Sequence, residues 1–287
     1  MEKKDIFINK IQKIFGPKYL RVLQHLYTRP NLSFRINNNK ISEKDALSRL
    51  KLAGFGIKAG PLHNSFILIS SPPNKRLSET ELFEKGYIYI QSLSSMIPVL
   101  MLDPKQGDNI LDLCAAPGSK TSQITDIVSD KAHVVAVDNN KKRMYKLSEN
   151  IKNQNIKNVE IIYSNGVGLE RKYRNFVGFF DKVLVDAPCS NEGLICLTDP
   201  DSFYYWNPKL PKKLSKLQKK LVSSAINMLK PGGALVYSTC TFSREENEDV
   251  VAWIVEKFKN MSLIEVKKII PDGQFTAFFA VKFVKLG

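Results

Sequence analysis

From residue 107 onward the sequence alternates short apolar runs with longer amphipathic ones. "NILDLCA", "AHVVAVD", "VEIIYS", "DKVLVDA" and "GALVYST" have strand length and aliphatic, often β-branched, character. "SKTSQITDIVSD", "KKRMYKLSENIKN", "LSKLQKKLVSSAINMLK" and "REENEDVVAWIVEKF" lie among them and read as helices. In the third of these, Leu214, Leu217, Leu221, Ala225 and Met228 fall on one stripe. Such alternation constrains the fold strongly, because parallel strands need crossovers and helices supply them. Apolar strands of this kind suit a sheet covered on both faces. The expected fold is α/β: a Rossmann-like, doubly wound, mostly parallel sheet, preceded by a small N-terminal α+β module.

Residues 1–80 form that module in this reading. "DIFINKIQKIF" and "GPKYLRVLQHLYTRP" are helices, the second ending before Pro30. "LSFRIN" and "SFILIS" are strands, with a helix from Ser42 to Gly54 between them. Residues 81–106 connect the two parts through a short strand and a helix opening near Leu93–Ser95, and residues 107–287 form the second, α/β domain. There is no internal repeat.

In an open parallel sheet, ligands bind outside the carboxyl ends of the strands. The polar and reactive residues fall at those ends: "CAAPGSK" (114–120), Asp138, Ser164-Asn165, Asp186-Ala-Pro-Cys189 and Ser238-Thr-Cys240. "CAAPGSKT" is neither a Walker loop nor G-x-G-x-x-G, so the pyrophosphate fingerprint is missing. Small residues opening a helix still let backbone approach a ligand. Asp138, twenty residues beyond Gly118, stands where a carboxylate takes ribose hydroxyls. The pair suggests an adenosine-bearing ligand other than NAD.

Two of the four cysteines, Cys189 and Cys240, thus sit just beyond strand ends. No two have C-x-x-C spacing, so no metal site is expected. Cys114 and Cys196 are read as packing residues. With 43 Lys and Arg against 28 Asp and Glu, the formal charge is +15, which favours a polyanionic partner. No apolar run reaches membrane-spanning length and no signal-peptide core is evident, so a cytoplasmic protein without a membrane partner is expected.

"LDLCAAPGSKTSQI", "VAVD", "DKVLVDAPCSNEG" and "LKPGGALVYSTCTFSREENE", in this order, resemble the Sun (Fmu) type RNA cytosine-5 methyltransferases. "SFRIN", "YIQSLSS" and "TAFFAVKF" extend the resemblance over most of the chain. It implies S-adenosyl-L-methionine as methyl donor, held by Cys114, Ala115, Ala116, Pro117, Gly118, Ser119, Lys120, Asp138, Arg143, Asn165 and Asp186. It makes Cys240 the nucleophile, Cys189 a helper in product release and Asp186 the group near the reacting ring. The implied substrate is a cytosine in ribosomal or transfer RNA, and the expected unit is a monomer.

The chemistry accounts for a cysteine nucleophile. Carbon 5 of cytosine attacks poorly until a thiolate adds to carbon 6 and makes the ring enamine-like. This chain departs from the family by carrying Asn165 where an acid is usual, by lacking an acid in "QSLSS", and by having no arginine in "NEGLICLTDPD". Two other readings stay open at this point. One is an RNA-binding scaffold without turnover; the other is a DNA cytosine methyltransferase, whose nucleophile lies in a Pro-Cys pair like this chain's Pro188-Cys189, although the Thr-Cys pair favours RNA. Arg35 and Asn37 are read as RNA contacts. Tyr204, Tyr205 and Trp206 suit base stacking or a core or lid role, and the lysines of "PKLPKKLSKLQKK" an RNA track or a solvated face. His25, His63 and His133 carry no assigned role.

Overall fold

The computed structural model describes residues 2–287. Helices α1 (Lys3–Phe15) and α2 (Tyr19–Leu26) come first. β1 (Ser33–Ile36), α3 (Glu43–Leu52), β2 (Gly56–Ala59), β3 (Phe66–Ser70), α4 (Glu81–Glu84) and β4 (Ile88–Ile90) follow. After α5 (Leu93–Leu102) the alternation begins: β5 (Asn109–Asp112), α6 (Ser119–Ile127), β6 (His133–Asp138), α7 (Lys141–Asn153), β7 (Val159–Tyr163), α8 (Leu169–Lys172) and β8 (Phe180–Asp186). The chain ends with α9 (Leu210–Met228), β9 (Leu229–Thr239), α10 (Glu248–Lys257), β10 (Met261–Ile269) and β11 (Phe278–Lys285).

The large sheet has the order β10-β11-β9-β8-β5-β6-β7. The five strands read from the sequence pair in parallel, and β10 and β11 close the sheet antiparallel. The fold is therefore the α/β class expected, with its order reversing beside β5. That reversal opens a crevice at the carboxyl ends of β5 and β8, since their loops leave for opposite sides. β10 has apolar residues but no clean alternation, because Leu263 and Ile264 are adjacent and the pairing shifts register between Leu263 and Glu265. Without period-2 alternation a strand is hard to read from sequence.

Each face of the sheet has its own core. Val183, Val185, Leu235 and Tyr237 pack under α9 and α10. Leu184, Val236 and Ile110 pack under α5 and α6. α5 carries no charge and is buried almost all round, which suits a helix pressed between two layers. The α9 stripe divides in two. Leu221, Ala225 and Met228 are core, whereas Leu217 is 36% exposed and lines the crevice. The amino-terminal half of α9 overhangs the cleft, so its apolar residues meet the cavity and Gln218 is buried instead.

The small sheet is antiparallel, in the order β2-β3-β1-β4, over a core that includes Phe34, Ile36, Leu50 and Phe66. The stretch 81–106 is shared: β4 joins this sheet and α5 covers the large one. α1 and α2 pack elsewhere, with Phe7 and Ile11 against Phe203, Trp206 and Phe242 beside the loops that follow β8 and β9. Phe7 meets Trp206 edge-on at 5.1 Å between ring centroids.

Arg35 and Asn37 are not RNA contacts: they are buried, 2% and 4% exposed. Arg35 donates to Gln91 Oε1 at 2.7 Å and to the Ser119 carbonyl at 3.1 Å, and lies 3.8 Å from Asp126. Burial lowers its pKa to about 10, and Asp126 works the other way. Asn37 donates to the carbonyls of Gly86 and Gln154. Both residues fasten the small sheet to the large unit. Their polarity looked like an external contact because a sequence does not show which surfaces meet. No described helix is long and apolar enough to cross a membrane.

Candidate active site

The donor half of the crevice is built from one continuous stretch and two anchors. Beyond β5 the backbone keeps to the ladder, Leu113 N donating to Leu184 O and Ala115 N to Val137 O. It then turns at Gly118, whose φ is +102°, to open α6. A Cβ there would fall 2.8 Å from Leu147 Cδ1, so only glycine fits turn and packing together. Asp138 accepts from the amides of Ala116 (3.1 Å) and Asn140 (2.9 Å). Arg143 donates to the Ala116 carbonyl and lies 3.7 Å from Asp138. Asn165 accepts from Val167 N at 2.9 Å at the far rim.

Cys114, Ala115, Ala116, Pro117, Ser119, Lys120, Asp138, Arg143, Asn165 and Asp186 all line one cavity of about 450 Å³; Gly118 makes its turn. Its size is that of a small-molecule site. Asp112, which sequence reasoning passed over, stands in its wall. Thr121 donates to its Oδ2 at 2.8 Å, and its buried Oδ1 has no partner among the described residues. Burial raises its pKa to about 7, against the Thr121 hydrogen bond and helped by the Asp186 charge. Burial, and next Asp112, push the Cys114 thiol up as well.

Lys120 faces the other half. Its Nζ donates to Asp186 Oδ2 at 2.6 Å and to Ser95 Oγ at 2.8 Å. Ser238 Oγ donates to Asp186 Oδ1 at 2.7 Å. The Asp186 carboxylate is thus held from both sides at the meeting point of the two halves.

β8 and β9 are parallel neighbours with Asp186 opposite Ser238. Each runs into a loop carrying a cysteine, and the register brings the two together. Cys189 Sγ and Cys240 Sγ lie 3.1 Å apart as free thiols. Cys240 donates its backbone N–H to Cys189 Sγ at 3.3 Å and its thiol to Asn191 Oδ1 at 2.9 Å. The Cys240 thiol, followed by burial, pushes Cys189 well above the ordinary thiol range.

Beneath the thiols lies a buried polar network. Glu192, with no exposed surface, accepts from Lys10 Nζ and Trp206 Nε1 on Oε1, and from Thr241 Oγ1 and Ser243 Oγ on Oε2. Glu246 accepts from the amide and hydroxyl of Ser190 and from Gln218 Nε2. Burial raises Glu246 to about 7, against the hydrogen bonds from Ser190 and Gln218. Gly193 N donates to the Cys240 carbonyl at 2.9 Å, and a Cβ on Gly193 would collide with Ala277 O. Sequence reasoning saw neither glutamate. In "SNEG" and "REENE" both acids stand among polar or charged neighbours, so nothing local marked them as buried.

Cys196 is buried, as a packing residue should be. Trp206 is core, whereas Tyr204 and Tyr205 are exposed and meet edge-on. No cluster of potential metal ligands occurs among the described residues.

Residues 99–280 match the family described as 16S rRNA methyltransferase RsmB/F. The chain belongs to this family. Residues 5–75 match the ferredoxin-like domain of RsmF/B-like methyltransferases. A ribosomal RNA small subunit methyltransferase F from Salmonella paratyphi A is 34% identical over 246 residues, covering 84% of this chain and 50% of the relative. A tRNA (cytosine(72)-C(5))-methyltransferase from Pyrococcus horikoshii is 39% identical over 181 residues, or 63% of this chain and 44% of that protein. The chain spans about half the length of these curated relatives. A solved methyltransferase homologue from Pyrococcus horikoshii superposes with a TM-score of 0.85 at 30% identity, over 97% of this chain and 94% of that one. This RsmB/F-family chain therefore has its fold in common with a relative of similar size.

Proposed function

We propose that the chain is an S-adenosyl-L-methionine-dependent RNA (cytosine-5) methyltransferase acting on ribosomal or transfer RNA through a covalent cysteine adduct. The observation that carries this reading is the pair of free thiols 3.1 Å apart at one end of the cavity whose other end is the 114–120 loop. Family membership and the +15 charge support it. In this reading the catalytic unit is a monomer.

The donor fits the residues present. Asp138 suits ribose hydroxyls, Arg143 and Asn165 border the adenosyl side, and the unpartnered Oδ1 of Asp112 suits the ammonium of the methionine part. When bound, the donor supplies a methyl group on a positively charged sulfur.

Cys240 attacks carbon 6 of the cytosine, losing its thiol proton to solvent, and the S–C6 bond makes carbon 5 nucleophilic. Asp186, oriented by Lys120 and Ser238, shares a proton with ring nitrogen 3 in this reading, which offsets the negative charge that develops there. After transfer the proton on carbon 5 passes to water and the S–C6 bond breaks. The leaving sulfur is then a thiolate. Cys189, kept protonated by its raised pKa, hydrogen-bonds its S–H to it across 3.1 Å, and a proton from solvent restores the Cys240 thiol. The N-terminal module holds RNA beside the cavity, since a cytosine must leave its stack to enter.

The test is methyl transfer from tritiated donor to ribosomal and transfer RNA, with bisulfite sequencing to locate the product. Label in carbon 5 of a single cytosine is expected. Label elsewhere, or none with donor bound, would remove the reading.

A further inference from the structure

A second cavity of about 330 Å³ adjoins the first and shares Ser92, Leu194 and Thr276 with it. It is closed by three segments: 25–33 between α2 and β1, the 193–196 loop beyond Cys189, and 271–276 before β11. We propose that this cavity is a subsite for the nucleobase next to the target cytosine in the RNA strand. The inference rests on the methyltransferase reading above and adds to it a place where sequence is read.

Three observations point to that occupant. The first is continuity: Leu194 and Thr276 stand between the cavities, so a strand delivering one base to Cys240 has its neighbour at this wall. The second is lining chemistry. Ile90 and Phe275 give apolar surface suited to a planar ring, and polar groups surround it. The side chains of His25, Asn31 and Gln274 make no hydrogen bond to any other described residue, and the buried Thr276 Oγ1 is without a partner among them. Splayed RNA bases are recognised in this way, by stacking and by hydrogen bonds to their edges. The third is charge. No carboxylate lines the cavity, and Arg29 at its rim, paired with Asp199, is a cation that a phosphate can share.

RNA nonamers with a central 5-fluorocytidine test the subsite. Fluorine cannot leave carbon 5 as a proton, so the Cys240 adduct persists on a denaturing gel. The nucleotide on the 5′ or the 3′ side is made abasic in turn, and trapping is measured at limiting RNA. With the wild-type chain, an abasic nucleotide on one side only should lower trapping about tenfold, the scale of one stacked base. Asn31→Ala with Gln274→Ala, both at exposed positions, should lower trapping of the base-bearing RNA, with the abasic change then costing little more. Abasic changes without effect on either side would overturn the subsite, as would losses from variant and abasic RNA that simply multiply. In both cases adduct still forms, so the methyltransferase reading stands. No adduct with any nonamer, while the donor binds by calorimetry, would remove the covalent reading and the subsite with it.

Discussion

The two halves of the cavity are built by different means. The donor half is local: one strand, one glycine turn and one helix start supply residues 112–120, and Asp138 and Arg143 brace them through backbone groups. The cysteine half is assembled from α1, the loop after β8, the loop after β9 and α9, joined by buried side chains. The loop also keeps to the sheet through its own backbone hydrogen bonds, so it can lose one side chain and keep its shape. A buried network of charges cannot, because each remaining partner then lacks its counterpart. Mutations should therefore separate binding from folding in the first half and entangle them in the second.

The largest effect expected is on chemistry. Cys240→Ala should abolish methylation and form no covalent RNA adduct. Cys189→Ala should still attack and transfer methyl but release poorly, leaving a protein–RNA species on denaturing gels. An adduct from Cys240→Ala and none from Cys189→Ala would exchange the two roles.

Next comes the network. Lys10→Ala leaves the Glu192 carboxylate buried without its cation and should cost about 3 kcal/mol in urea unfolding. Lys10→Met combined with Glu192→Gln should recover much of that. An unchanged urea midpoint for Lys10→Ala would mean that α1 does not brace the cysteine loops.

Glu246 provides a pH signature. Its folded pKa, about 7, lies above its unfolded value, so the folded state binds the extra proton. Its contribution is fully present below about pH 4.5 and is lost as pH rises through about 7, a change on the order of 3 kcal/mol. Asp112 moves in the same direction. Glu246→Gln should flatten the fall in stability between pH 5 and pH 8 by Glu246's share. Parallel curves for variant and parent would show that Glu246 does not titrate there.

The smallest effect belongs to the donor half. Asp138→Ala should weaken donor binding about tenfold in calorimetry, the value of a charge-assisted hydrogen bond or two. The circular dichroism spectrum should stay the same. Unfolding of this variant would erase the contrast between the halves.

The same contrast separates what could be read from the sequence. Period and alternation announced all five parallel strands, and strand ends placed the 114–120 loop, Asp138, Asp186 and both cysteines at one edge of a sheet. Those are local signals, carried by residues close in the chain. β10 escaped because its apolar residues do not alternate, with a register shift between Leu263 and Glu265. Arg35 and Asn37 were misread because burial between two units leaves no local mark.

By itself, then, the sequence determined the parallel strands, the helix opening at the 114–120 loop and the chemistry available at the strand ends, since backbone propensity and side-chain type act over a few residues. Tertiary structure alone decided that Lys120 meets Asp186 rather than only bordering the donor loop, that Lys10 reaches across 182 positions to Glu192, and that the two thiols stand 3.1 Å apart. Those pairings depend on strand register and on which helix face turns inward, and both are fixed only when the cores on the two sides of the sheet close together.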